Sequence, residues 1–106
     1  MQMQVRTEGF RLTEAIHDHV QQRLRHALER FAHAVQSVRV RLRDENGPRG
    51  GIDKRCHVEV VLRGRPPMHI DERGTDLYAA IGRGADRAER QVARAVERRR
   101  RFATGS

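Results

Sequence analysis

The chain has little that would serve covalent chemistry or a membrane. Its one cysteine, Cys56, cannot close an internal disulfide. Lying within an alternating segment, it suits a small buried apolar residue better than a nucleophile. Tryptophan is absent, and Phe10, Phe31, Tyr78 and Phe102 are the only aromatics. They are too scattered for a platform on which bases stack. No apolar run approaches the roughly 20 residues of a membrane helix, and the opening MQMQVRTEGF has no signal-peptide pattern. A cytoplasmic protein with no membrane partner is therefore expected. The six histidines, at 17, 19, 26, 33, 57 and 69, do not form a ligand cluster. His17 and His19 fall on different helix faces, and His26 and His33 lie two turns apart. No metal, cofactor, catalytic residue or small-molecule substrate is expected. Lysine is nearly missing too, since Lys54 is the only one among 22 cationic residues.

What remains is arginine. At 106 residues the chain has room for one core, which buries about 65% of the surface exposed when unfolded. A single domain over 1–101 and a flexible tail over 102–106 are expected. The formal net charge is +8, and the guanidinium fork matches phosphate geometry bidentately. A GC-rich genome would also favour arginine, so the sign of the charge says more than the choice of cation.

The stretch Gly74 to Arg101 concentrates that charge. On a helix, Leu77, Ile81, Ala85, Ala88, Val92, Ala95 and Val96 share an arc of about 100°, which predicts a core face. Nearly opposite, Arg83, Arg87, Arg90, Arg94, Arg98 and Arg101 share an arc of roughly 80° with no acid inside it. Asp86, Glu89 and Glu97 collect on one flank. Charged outer faces are ordinary and usually mix signs; a single-sign row predicts an anion-binding stripe. The carboxylates have structural placements, with Asp76 at a helix start and Asp86 four residues before Arg90. A small hydrolase using histidine and carboxylate is therefore a poor fit.

Earlier in the chain, Met1, Met3 and Val5 alternate with Gln2, Gln4 and Arg6 as a half-buried strand. Thr13 can cap a helix running to about Phe31, with Ile16, Val20, Leu24, Ala27, Leu28 and Phe31 on its apolar face. Beside that face His19, Arg23, His26 and Arg30 form a second, weaker basic row. Arg23, His26 and Arg30 join the six arginines of the last helix as candidate RNA-binding residues. Val38, Val40 and Leu42 alternate with Ser37, Arg39, Arg41 and Arg43 in a second strand. The loop from Asn46 to Gly51 carries Arg49 and is followed by Lys54 and Arg55; it lacks the lysine and hydroxyl of a P-loop and reads as an adaptable connection able to touch phosphate through backbone donors. Strands through Cys56–Leu62 and Met68–Ile70 follow, and Thr75 or Asp76 can cap the last helix.

The order β-α-β-β-β-α predicts an α+β fold with a four-stranded mixed sheet. A crossover through the first helix pairs the first two strands in parallel, and hairpins add the next two. Both helices pack on one face. The open face would show Arg39, Arg41, Arg43, His57 and Arg63 among Glu59 and Asp71, a secondary candidate for RNA contact.

The chain also resembles a known family. The densest match is Asp76-Leu77-Tyr78-Ala79-Ala80-Ile81, then Asp86-Arg87 and Arg90-Gln91-Val92, with Leu12-Thr13-Glu14-Ala15-Ile16 and Arg23-Leu24 in the first helix. These resemble the short ribosome hibernation promoting factors, or ribosome-associated translation inhibitors, over almost the whole length. Two departures stand out. Gly82 occupies a position where the family usually has aspartate, and with Gly84 it weakens the helix by roughly 1–2 kcal/mol relative to alanines. Arginine also replaces most of the family's lysines.

The resemblance implies a double-stranded-RNA-binding-domain-like fold that sits on the small ribosomal subunit. It would contact 16S rRNA in the mRNA and tRNA channel and block translation under stress or in stationary phase. Longer relatives continue into a dimerising C-terminal domain; here no dimerisation domain is expected, and a monomer off the ribosome is. The alternative is a general RNA- or DNA-binding module without ribosome specificity.

Overall fold

The alternating and helical patterns become six elements: β1 (Gln2–Glu8), α1 (Glu14–Leu28), β2 (Val35–Asp44), β3 (Lys54–Leu62), β4 (Met68–Gly74) and α2 (Leu77–Thr104). The structure, a computed structural model, describes residues 1–45 and 53–104, with side chains as far as Arg100. The sheet order is β1-β2-β3-β4. β1 runs parallel to β2, since α1 carries the chain back between them, while β3 and β4 are antiparallel additions. The expected β-α-β-β-β-α architecture holds.

Local chemistry sets the helix starts. Thr13 accepts the Ile16 N–H through its hydroxyl at 3.2 Å, and Asp76 accepts the Tyr78 N–H at 2.9 Å. Each satisfies an otherwise orphaned donor of a first turn. At its far end α1 tightens into a 3-10 turn, Glu29–Phe31, which seats Phe31 in the core. β2 begins at Val35, two residues before the alternation became readable, because its pairing with β3 is irregular between Val35 and Ser37. α2 continues through Thr104, beyond the point where a tail was expected to start at Phe102. The loop from Asn46 to Gly51, considered for backbone contact with phosphate, lies outside the described residues.

One layer of side chains joins the sheet to the helices. Val38, Val40 and Leu42, then Cys56, Val58, Val60 and Leu62, then Ile70, meet Val20, Leu24 and Leu28 of α1 and Ile81, Ala85, Ala88, Val92 and Ala95 of α2. Burying each large aliphatic contributes about 1.5–3 kcal/mol. The underside of α2 is mostly alanine, so its backbone sits close to the strands. At Gly84 the approach is close: a Cβ there would lie 3.4 Å from both Cys56 Sγ and Val58 Cγ2. Burial, with Glu72 and Asp71 nearby, pushes the Cys56 thiol up to about 12. It stays protonated as a small core residue, not a nucleophile.

Candidate nucleic-acid interface

Because the alanine side of α2 is held down on the sheet, the predicted arginine arc from Arg83 to Arg98 lies on the side of the helix away from the core. The arc is not uniform. Arg83 Nη2 donates to the Arg73 carbonyl at 2.8 Å, and Arg87 Nη1 donates to the Asp71 carbonyl at 2.9 Å. Arg87 also lies 3.7 Å from the Glu72 carboxylate. These two arginines lean onto β4 and tie it to α2. Arg90, Arg94 and Arg98 are exposed, and no ion pair joins them to a carboxylate among the described residues. They form the open part of the row at one-turn spacing. The side chain of Arg101 lies outside the described residues.

The second row, on α1, is placed differently from the picture of two free stripes. The helices run in the same direction, and their contacts climb both in register. His19 meets Tyr78 edge-on with ring centroids 4.7 Å apart, Arg23 reaches Gly82 and Asp86, and Arg30 reaches Glu89. Asp86 and Glu89, the acidic flank of α2, therefore face the basic row of α1. Arg23 Nη2 lies 3.2 Å from the Gly82 carbonyl and 3.3 Å from Asp86 Oδ1. Arg30 is looser, 3.9 Å from Glu89, with its guanidinium carbon 4.3 Å from the Phe31 ring centroid. His26 stays exposed.

Gly82 leaves room for the Arg23 guanidinium. A Cβ at this position would stand 3.2 Å from Arg23 Nη2, a tight contact that the guanidinium would relieve by shifting a few tenths of an ångström. Tyr78, also read as a packing residue at the rim of the core, is 44% exposed.

The open sheet face carries its own charges. Arg39 lies 3.9 Å from Glu59, Arg41 and Arg43 lie 3.7 and 3.3 Å from Glu8, and Arg55 makes two bonds to Asp71, at 3.1 and 2.9 Å. The bidentate contact from Arg55 holds the Asp71 carboxyl below the usual carboxylate range, against a smaller opposing effect of burial. A depressed carboxyl stabilises the fold above its ordinary pKa, and that contribution disappears as pH falls through the folded value. Asp71→Asn is thus expected to lower the melting temperature by a few degrees near neutral pH. The gap should close as pH drops below about 4, and a thermal melt series in acid checks it.

Among the described residues no group of three or more histidine, cysteine or acidic side chains could hold a metal ion, and no helix is long and apolar enough to cross a membrane. The arrangement offers exposed positive charge at Arg90, Arg94 and Arg98. Sequence reasoning missed the opposition between the helices, although its signal was present in the acidic flank of α2. It also missed Arg6, Arg55 and Arg73 on the sheet, whose place depends on cross-strand register.

Comparison with known proteins agrees with the fold. The Thermus thermophilus Protein Y N-terminal domain is 30% identical, with 89% of this chain and 98% of that chain covered and a TM-score of 0.74. A ribosomal subunit interface protein from Coxiella burnetii shares the fold at 14% identity, with coverage of 92% and 99% and a TM-score of 0.77. No curated protein matches the sequence. The family described as sigma 54 modulation protein / S30EA ribosomal protein matches residues 3–100. Spanned over nearly its whole length by that match, the chain belongs to this family, the one its helix motifs resemble.

Proposed function

We propose that the domain binds the small ribosomal subunit through 16S rRNA, in the channel used by mRNA and tRNA, and blocks translation under stress or in stationary phase. The observation that carries this reading is the open row Arg90, Arg94 and Arg98 on a helix pinned to the sheet. Rigidly spaced guanidinium groups suit the backbone of folded RNA, which is recognised mainly by shape and phosphate. Arg83 and Arg87 extend the row towards β4. Arg23, His26 and Arg30 flank it, with the two arginines already partly neutralised, and Arg101 continues its sequence pattern. Inhibition needs no bond to be made or broken, because a folded domain lodged in the channel excludes the other occupants. The protein would act in the cytoplasm and as a monomer off the ribosome.

The test is a competition. The domain is expected to cosediment with small subunits in the presence of excess naked RNA duplex. Its affinity should fall with salt at a log-log slope of about −0.7 to −0.9 per phosphate contact. If naked duplex displaces it as readily as added subunits do, the protein is a general RNA-binding module and the ribosomal reading is wrong.

A further inference from the structure

The face of the sheet turned away from the helices is arranged as a second polyanion site. Strand register sets its residues in rows. Arg6, Arg41, His57 and Asp71 lie side by side, flanked by Gln4, Arg39, Glu59 and His69 on one side and by Glu8, Arg43, Arg55 and Arg73 on the other. Six arginines thus share one face with three acids. Neighbouring rows are about 6–7 Å apart along the strands and neighbouring strands about 4.8 Å apart.

The surface between these residues is hollowed. A depression of about 400 Å³ is lined by Arg6, Arg39, Arg41, His57 and His69 with Gln4 and one acid, Glu59, among others. One of about 260 Å³, lined by Arg41, Arg43, Arg55 and His57 with Glu8 and Asp71, adjoins it. Arg41 and His57 line both, so the two form one trough across the sheet. His57 Nε2 and His69 Nδ1 lie 3.1 Å apart in its wall.

We infer that this trough binds a second RNA segment through its phosphate backbone, so that the domain holds RNA on both of its faces; the inference rests on the proposed ribosomal role. Three features favour RNA over a protein. Protein interfaces need buried aromatic or aliphatic anchors, and the only large exposed hydrophobic side chain among the described residues is Tyr78, which lies between the helices. The trough has no aromatic ring other than the two imidazoles, which suits backbone contact over base reading. Two of its ion pairs are also loose, although Asp71 holds Arg55 bidentately. The Arg39 and Arg41 side chains are 67% and 62% exposed, with carboxylates at 3.9 and 3.7 Å. Such solvent-exposed pairs are weak, and a phosphodiester can replace the carboxylate without leaving a guanidinium unpaired.

Native mass spectrometry with a short RNA duplex tests this at low ionic strength. The wild-type domain is expected to give a complex of one protein with two duplexes. Arg6→Gln, Arg39→Gln and Arg41→Gln together should leave one, and should lower the salt slope summed over all bound duplexes by at least about 2 to 3. The variant Glu8→Gln with Glu59→Gln frees three arginines and should tighten the second step several-fold, a gain that misfolding cannot mimic. A wild-type complex that stops at one duplex, or a trough variant that still binds two, overturns the inference. So does a trough that binds polyglutamate in preference to RNA. A domain that binds a single duplex yet still cosediments with small subunits refutes the trough alone and leaves the proposed function intact.

Discussion

Changing Arg90, Arg94 and Arg98 together to glutamate is expected to abolish cosedimentation with small ribosomal subunits while leaving the circular dichroism melt within a few degrees of wild type. All three are exposed and make no ion pair among the described residues, so the fold loses nothing when they are replaced. A phosphate surface loses three cations and meets three anions. At roughly one unit of salt slope per phosphate contact, the residual binding should be at least 100-fold weaker at moderate salt and its slope lower by about 2 to 3.

The matched control is Arg83→Glu with Arg87→Glu. Those side chains donate to the Arg73 and Asp71 carbonyls, so their loss should lower the melting temperature as well as the affinity. Unchanged cosedimentation of the Arg90, Arg94 and Arg98 variant would remove the basis for assigning RNA binding to α2.

Gly84→Leu is expected to lower the melting temperature by on the order of 10–20 °C, whereas Gly84→Ala should leave it nearly unchanged. The reasoning is steric. A Cβ at residue 84 would reach Cys56 Sγ and Val58 Cγ2 at 3.4 Å, a tight contact that still fits. Alanine also recovers helix propensity of about 1 kcal/mol, offsetting any strain. Three further heavy atoms have no space between α2 and β3. Overpacking of this kind typically costs about 1–3 kcal/mol, more where the backbone must move, and here α2 would have to lift off the sheet. Because Arg90, Arg94 and Arg98 ride on α2, the leucine variant should also bind small subunits more weakly at temperatures well below its melt. Equal melting temperatures for the leucine and alanine variants would contradict the close seating of the helix.

Much of this was legible in the chain. Alternation in Val38, Val40 and Leu42 and in Cys56, Val58, Val60 and Leu62 identified the inner face of two strands, and every one of these residues is buried. Helical spacing identified Leu77, Ile81, Ala85, Ala88, Val92, Ala95 and Val96 as the underside of α2; the middle five are buried, and Leu77 and Val96 are only partly so. Thr13 and Asp76 cap as their residue types suggest. The arginine arc on α2 followed from the same periodicity, because a side chain's angular position on a helix depends only on the local backbone.

The condition of each arginine was another matter. Arg23 and Arg30 looked like a free row, yet they face Asp86 and Glu89, because the two helices lie parallel with a register that no local pattern encodes. Arg83 and Arg87 belong to the same arc as Arg90 and Arg94, but β4 passes close enough to offer them backbone carbonyls, and a long flexible side chain takes whatever acceptor lies within reach. Arg6, Arg41, His57 and Asp71 are scattered through the chain and become neighbours only through strand pairing. The sequence by itself determined the order of the elements, the side each one buries and the sign of the charge on the other side. Which of those charges remain open to a partner was decided by the tertiary structure, since neutralisation depends on distances between elements that are set only when the core closes.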